Sequence, residues 1–293
     1  MYATKACISS NENPDYIQFW PLVASAWKRL GFDPILALVT NKEKHEWEWM
    51  EEYGEVFRVN KNPNIPEGNW AKIVRWSLYG KHEDAISILT DADMIPMQRD
   101  YFAELPEGYD PDRHLVIKGA DAYGNAANEK YPGCYVTAKG SVWNDISKLD
   151  EYSSLEEWAA QFYDLSVFDH KEGVNFPYTT FSEESLMRVI VSRWDPTGEK
   201  TIKLKRPGGW SWGPNQKGLR IDRSAWPNEA GWKAMGFTKD KKYPDTVRGG
   251  LYIDAHLLRP LQDVKEHLYP ILDYLDLPKS LIDEGIKLSQ SMK

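Results

Sequence analysis

Cysteine is scarce: the 293 residues hold only Cys7 and Cys134. Two thiols this far apart cannot lay out a disulfide scaffold, and neither sits in a Cys-x-x-Cys or Cys/His cluster of the spacing zinc needs. Positive charge is the minority sign, with 36 Lys and Arg against 44 Asp and Glu and a formal net charge of −8. That balance lacks the bulk positive field duplex nucleic acid demands, which excludes a general DNA or RNA binder. No run of about 18 apolar residues occurs, so no membrane-spanning helix is expected. The stretch from Met1 to Ser10 has no apolar core before a cleavage site, and the expectation is a soluble, cytoplasmic protein. Glycine-rich phosphate loops are missing too. No GxGxxG follows the first apolar run, and GxxxxGK[ST] does not occur, so nothing supports a dehydrogenase-type dinucleotide fold or a P-loop NTPase. Aromatic rings, by contrast, are abundant, with 13 Trp and 16 Tyr in a chain that is 42% apolar. Such rings either build the core or grip sugars, and the core is the plainer assignment.

The hydrophobic pattern alternates. Ala6-Cys-Ile-Ser is a short apolar run, and the turn-rich Ser10–Pro14 follows it. Ile17, Trp20, Val23, Ala24, Trp27 and Leu30 recur at helical spacing and predict a helix over Asp15–Leu30, closed by Gly31. Ile35–Val39 is a continuous apolar run of the kind buried on both faces of a sheet. Helices are expected over Lys44–Tyr53 and Asn69–Tyr79, and strands over Val56–Val59 and Ala85–Thr90. Further on, Val116-Ile and Cys134–Thr137 read as strands, while Trp143–Leu149, Ser154–Tyr163, Ser182–Ser192 and Leu257–Lys293 read as helical. Residues Arg206–Asp245, rich in Gly, Pro, Trp and Lys, predict a long loop-rich excursion. Strands alternating with helices predict an α/β fold with a mostly parallel, doubly wound sheet and an elaborated C-terminal half, all in one domain over 1–293.

The sharpest local signal is Ile86-Ser-Ile-Leu-Thr-Asp91-Ala-Asp93-Met-Ile-Pro96, a buried strand ending in two aspartates one residue apart. If the backbone stays extended, both carboxylates leave the same face. In open α/β sheets ligands bind beyond the carboxyl ends of the strands, where this pair falls. Two carboxylates held about 4 Å apart near a surface repel by about 4 kcal/mol. A hard divalent cation, Mn2+ or Mg2+, removes that penalty and bridges the oxygens of a diphosphate. The competing assignment is a pair of solvated turn aspartates.

With strand, helix, buried strand, and then an apolar strand closing on Thr-Asp-Ala-Asp-Met-Ile-Pro-Met, the chain resembles the DxD-containing glycosyltransferases of the GT-A fold. Three segments support the resemblance, which spans roughly residues 4–260: Asn69-Trp-Ala-Lys-Ile-Val-Arg75, Gly133-Cys-Tyr-Val-Thr-Ala-Lys-Gly140 and Tyr252-Ile-Asp-Ala-His256-Leu-Leu-Arg-Pro260. The resemblance implies a Rossmann-like sheet flanked by helices and transfer of a sugar from a nucleotide-diphosphate donor to a glycan or other hydroxyl acceptor. UDP is the commonest base in such enzymes. It divides the chain into a nucleotide-binding half (1–100) ending in the DxD, a donor-sugar and acceptor half (101–260), and C-terminal helices (261–293). It also implies that His256 joins Asp91 and Asp93 on the metal, and an imidazole ligand favours manganese.

The same resemblance assigns Lys72 and Arg75, three apart on one helix face, to the donor phosphates or the DxD region. It places Ser9 and Ser10, in the turn after the first strand, against the nucleoside, and Asp121 against donor-sugar hydroxyls. Glu183 or Glu184, at a helix start, would be the general base of an inverting enzyme, although the helix dipole alone favours acids there. Gly208-Gly-Trp210-Ser-Trp212-Gly213 could close over the donor or stack on an acceptor sugar. His45, His82, His114, His170 and His267 lie in polar stretches and read as surface residues. Two other classes compete. A sugar-nucleotidyltransferase would carry a Gly-rich basic signature after the first strand, which Ser9–Pro14 lacks. A non-catalytic carbohydrate-binding protein would more often be all-β.

Overall fold

The computed structural model describes residues 2–122, 130–163, 183–206, 219–221, 247–250 and 252–292. Strand β1 (Lys5–Asn11) is followed by two helices, α1 (Pro14–Ile17) and α2 (Trp20–Arg29), in place of the single helix the periodicity predicts. Pro21 explains the break. As the second residue of α2 its missing N–H costs nothing, but inside a longer helix its ring would strike the carbonyl four residues back. The helix ends as expected at Gly31, whose φ of 82° lets Phe32 N–H reach the Trp27 carbonyl at 3.0 Å.

Strand β2 (Asp33–Val39) is buried from Pro34 to Val39. The helix predicted over Lys44–Tyr53 is instead two 3-10 segments, Lys44–Glu46 and Glu48–Glu52. Its inward residues, Trp47, Met50 and Tyr53, recur every third position, the period of that tighter helix. There follow β3 (Glu55–Val59), α3 (Glu67–Val74), α4 (Trp76–Tyr79), β4 (Ile86–Leu89), β5 (Met94–Pro96) and α5 (Arg99–Ala103). The next elements are β6 (Leu115–Lys118), β7 (Val136–Lys139), α6 (Gly140–Ser147), α7 (Leu155–Tyr163) and α8 (Glu183–Trp194). The chain continues through β8 (Thr201–Leu204), β9 (Leu219–Ile221), β10 (Tyr252–His256), α9 (Leu261–Leu275) and α10 (Ser280–Ser291).

Seven strands form one sheet in the order β3-β2-β1-β4-β7-β6-β8, parallel throughout except for β7, which opposes both its neighbours. This is the mixed α/β, mostly parallel sheet flanked by helices that the alternating pattern predicts. Its central strands feed two cores. Along β2, Leu36 and Leu38 join the cluster under α2, α9 and α10, while Ile35, Ala37 and Val39 join the cluster under α3, α4, α6 and α8. The period of two thus puts one apolar set on each face. Trp20, Trp27, Trp70, Trp76, Trp143 and Trp158 are all fully buried and Trp47 nearly so, so at least seven of the 13 tryptophans belong to the core. A second, three-stranded sheet, β5-β10-β9, pairs β10 antiparallel to β5 and parallel to β9. No helix among the described residues is long and apolar enough to cross a membrane.

Candidate functional site

The strand order reverses between β1 and β4. From β1 the chain steps outward to β2 and β3, then returns to lay β4 on the other side of β1. A crevice opens at the carboxyl ends of strands at such a switch point. Asp91 and Asp93 lie there, in the link from β4 to β5. The backbone does not stay extended through them: Met94 N–H donates to the Asp91 carbonyl at 3.3 Å, closing a turn. The two side chains consequently meet different partners, and the expectation that both point into one space by strand alternation is corrected.

Asp91 faces Arg75. Nη1 of Arg75 donates to Asp91 Oδ1 at 2.8 Å and to the Thr90 carbonyl at 2.9 Å, while Nε donates to Glu183 Oε1 at 2.6 Å and Nη2 to Glu183 Oε2. Arg75 follows the last residue of α3 and is turned inward, 3% exposed, whereas Lys72 on the same helix is exposed. The two cations expected side by side on one helix face therefore part company, and Arg75 alone meets the DxD region. Burial alone would raise the Asp91 carboxyl. The charge and hydrogen bond of Arg75, with contributions from the Cys134 thiol and from His256, outweigh burial and hold it below the usual carboxylate range. At Glu183 burial prevails over Arg75 and lifts the carboxyl above its ordinary value. Glu183 is 3% exposed with both oxygens on Arg75, so it orients that guanidinium and does not present a lone pair to solvent. Its neighbour Glu184 is half-buried, and its carbonyl accepts from Tyr131 N–H at 3.1 Å. Gly133 makes room for the cluster: a Cβ there would stand 3.1 Å from Arg75 Nη2, 3.4 Å from Glu183 Oε2 and 3.9 Å from Asp91 Oδ1.

Asp93 faces His256. In the small sheet His256 pairs with Met94, and Leu257 N–H donates to the Asp93 carbonyl at 2.8 Å. This register brings His256 Nε2 within 3.4 Å of Asp93 Oδ2. Two ligands that share one cation at bonds of about 2.1 Å stand roughly 3–3.5 Å apart, so the Asp93–His256 pair suits a divalent ion. Among the described residues no three His, Cys, Asp or Glu side chains are gathered into a metal-holding group. The expected triad is thus represented by a pair, with Asp91, its side chain 37% exposed, leaning on Arg75 beside it.

Ser9 and Ser10 lie within β1, which runs on to Asn11, and not in a turn; Ser10 Oγ donates to the Asn11 carbonyl at 3.0 Å. Beyond them Glu12 accepts from Thr40 and Lys61 across the carboxyl edges of β1 and β2. Asp121 Oδ1 accepts from the Arg206 backbone N–H at 3.1 Å. The Gly208–Gly213 segment and His170 lie outside the described residues.

Sequence reasoning missed the second buried cluster. Asp254, fully buried on β10, accepts from Arg206 Nη2 at 2.6 Å, Arg220 Nε at 3.1 Å and Nη2 at 3.0 Å, and Tyr135 Oη at 2.9 Å. Burial would raise this carboxyl, but the two guanidiniums drive it far below the usual range. An acid inside the apolar run Tyr252-Ile-Asp-Ala was the available signal.

No protein-family model matches the chain, and no curated protein matches it. Among solved structures it is similar to the glycosyltransferase GlyE of Streptococcus pneumoniae TIGR4, at 12% identity and a TM-score of 0.48 over 99% of this chain. The chain spans 64% of that protein. It is also similar to the galactosyltransferase LgtC in complex with donor and acceptor sugar analogues, at 9% identity and a TM-score of 0.44, over 98% of this chain and 96% of that one.

Proposed function

We propose that this protein is a glycosyltransferase that moves a sugar from a nucleotide-diphosphate donor, with UDP as the first base to test, to a glycan or other hydroxyl acceptor. One observation carries the reading: the Asp91–Asp93 turn stands at the sheet's switch point with His256 3.4 Å from Asp93. In this reading Asp93 and His256 would hold Mn2+, or Mg2+, with Asp91, kept in place by Arg75, beside them. When bound, the ion supplies Lewis acidity that neutralises charge on the departing diphosphate. Arg75, fixed by Glu183, keeps Asp91 ionised and aimed. Lys72, exposed on α3, adds a positive charge facing the phosphates. Ser9 and Ser10, at the carboxyl end of β1, lie on the nucleoside side, and Asp121 on the donor-sugar side. Glu184 is the better candidate for the acceptor's general base, because Glu183 is occupied by Arg75.

The test is a panel of UDP- and GDP-sugars scored for nucleotide release with Mn2+, with Mg2+ and with EDTA. At least one sugar nucleotide is expected to turn over with metal and to stop with EDTA, and Asp93→Asn is expected to lower that rate by 100-fold or more, a transition-state loss of about 2.7 kcal/mol. Turnover equal in EDTA and Mn2+ would exclude the metal, and no turnover of any donor would exclude the transferase.

A further inference from the structure

Away from the Asp93–His256 pair the surface opens into a cleft of about 660 Å3. Arg29 at the end of α2, Gln98, Arg99 at the start of α5, Gly249, Gly250 and Tyr274 near the end of α9 line it. Met94 pairs with His256, and Gln98 comes four residues later. Four residues of extended chain span roughly 13 Å, so the cleft begins well beyond the reach of the DxD turn.

Two guanidiniums in one cleft stand out in a chain of net charge −8. Asp100 is the one carboxylate among the lining residues, and it stands 3.9 Å from Arg99 Nη1, beyond hydrogen-bond distance. Asp276 stands 3.5 Å from Arg29 Nη2. Both acids are exposed, and exposed pairs contribute about 0–1 kcal/mol, so neither holds its guanidinium against a better anion. The cations are kept in place by other means. Arg29 Nε donates to the Leu275 carbonyl at 2.9 Å, which ties that side chain to the end of α9. Arg99 lies 5.5 Å from the centre of the Tyr2 ring and against Gly31, where a Cβ would stand 3.7 Å from its Nε. It donates no hydrogen bond among the described residues. Capping the last turn of α9 accounts for Arg29. It accounts neither for Arg99 nor for the open volume beside both.

Guanidinium forks match the oxygens of a phosphoryl or carboxylate group, each fork offering two parallel N–H donors. The remaining lining favours hydroxyls. Gln98 Nε2 is spent on the Gly250 carbonyl at 2.6 Å, which leaves its Oε1 as an acceptor alongside the Asp100 carboxylate. The volume falls within the range of about 300–1,000 Å3 usual for small-molecule sites. We infer that this cleft is a second binding site, for a small polyhydroxylated anion whose phosphoryl or carboxylate group is held by Arg29 and Arg99. The inference does not depend on the donor reading.

Isothermal titration calorimetry in metal-free buffer with glucose 6-phosphate, glucuronate and glucose tests it. At least one of the two acids is expected to bind with a Kd of about 1 mM or tighter, and glucose at least tenfold more weakly. The tighter acid tells a phosphoryl from a carboxylate ligand. Arg29→Gln and Arg99→Gln are each expected to weaken that acid about tenfold, or about 1.4 kcal/mol. Arg99→Lys keeps the charge without the fork and is expected to fall between wild type and Arg99→Gln. Should Arg29→Gln fail to fold for want of its contact with α9, the Arg99 variants decide. Asp93→Asn is expected to bind the acid as wild type does, which places the ligand outside the DxD region. Glucose bound as tightly as both acids, undiminished binding by Arg99→Gln, loss of binding in Asp93→Asn, or no binding of either acid each overturns the inference.

Discussion

Arg75 serves two carboxylates at once, and removing either leaves a different residue of charge behind. With Glu183→Ala the guanidinium keeps the Asp91 carboxylate and the Thr90 carbonyl, both on Nη1, and Nε and Nη2 lose their acceptors in a dry pocket. Breaking one side of a buried pair costs about 3–5 kcal/mol, so urea unfolding of this variant is expected to lose that much. A loss below about 1 kcal/mol would mean that solvent reaches the pair. Lys118 is buried and makes no salt bridge among the described residues. Its Nζ donates to the carbonyls of Phe102 at 3.2 Å and Glu104 at 3.3 Å, and to that of Tyr101, at the end of α5. Burial pulls its ammonium from 10.5 down to about 8, against the opposing pull of Glu104. Between pH 8 and 10.5 the unfolded chain still binds this proton while the folded chain has released it, so stability rises with pH across that window and is flat below it. The full span is up to about 3 kcal/mol. The measurement is the difference in unfolding free energy between wild type and Lys118→Met at pH 7.5 and 10. A difference that does not grow in favour of wild type would place the folded-state pKa near that of a free lysine.

Helix α10 docks through a glycine. A Cβ at Gly285 would lie 2.2 Å from the Gln18 carbonyl oxygen and 2.9 Å from Leu261 Cδ2. Alanine gains about 1 kcal/mol of helix propensity over glycine, but backbone cannot yield as a flexible side chain can, and overpacking costs about 1–3 kcal/mol. The clash is expected to win, so Gly285→Ala lowers the melting temperature; an unchanged or raised value would show that α10 slides outward without penalty. The elements that the sequence made legible share one property, a pattern long enough to have a period. Ile35–Val39 and Ala85–Thr90 announce buried strands, and Gly31 announces a helix end. The breaks were less visible because single residues cause them: Pro21 divides α1 from α2, and the spacing of Trp47, Met50 and Tyr53 selects a 3-10 winding. Strand β5, three residues long, is too short to display any alternation. The Asp91–Asp93 turn and His256 could be picked out by residue type and order. Their partners could not, because Glu183 is 108 residues from Arg75, and Arg206 is 48 and Tyr135 119 residues from Asp254. Nothing local marks an ion pair closed over such separations.

At the scale of the whole molecule the candidate site is a seam between two sheets. The link from β4 of the main sheet to β5 of the small one contains both aspartates, and β10 of the small sheet brings His256 to meet them. A ligand held by Asp93 and His256 would therefore fasten one sheet to the other and stabilise the chain as a unit, by about 2.7 kcal/mol at 100 times its Kd. For a protein of this size that corresponds to a rise in melting temperature on the order of 5 °C. Wild type is expected to show this rise with MnCl2 plus UDP, a smaller one with MgCl2 plus UDP since an imidazole ligand favours manganese, and none with UDP in EDTA. His256→Ala is the decisive comparison. The ligand-induced rise, read as the difference between the liganded and unliganded variant, is expected to disappear whatever the variant's own melting temperature. If His256→Ala keeps the full rise, the cation and nucleotide are held elsewhere and the seam is structural. If the rise survives EDTA, the nucleotide binds without metal, and Arg75 and Lys72 become the groups to which its phosphates must answer.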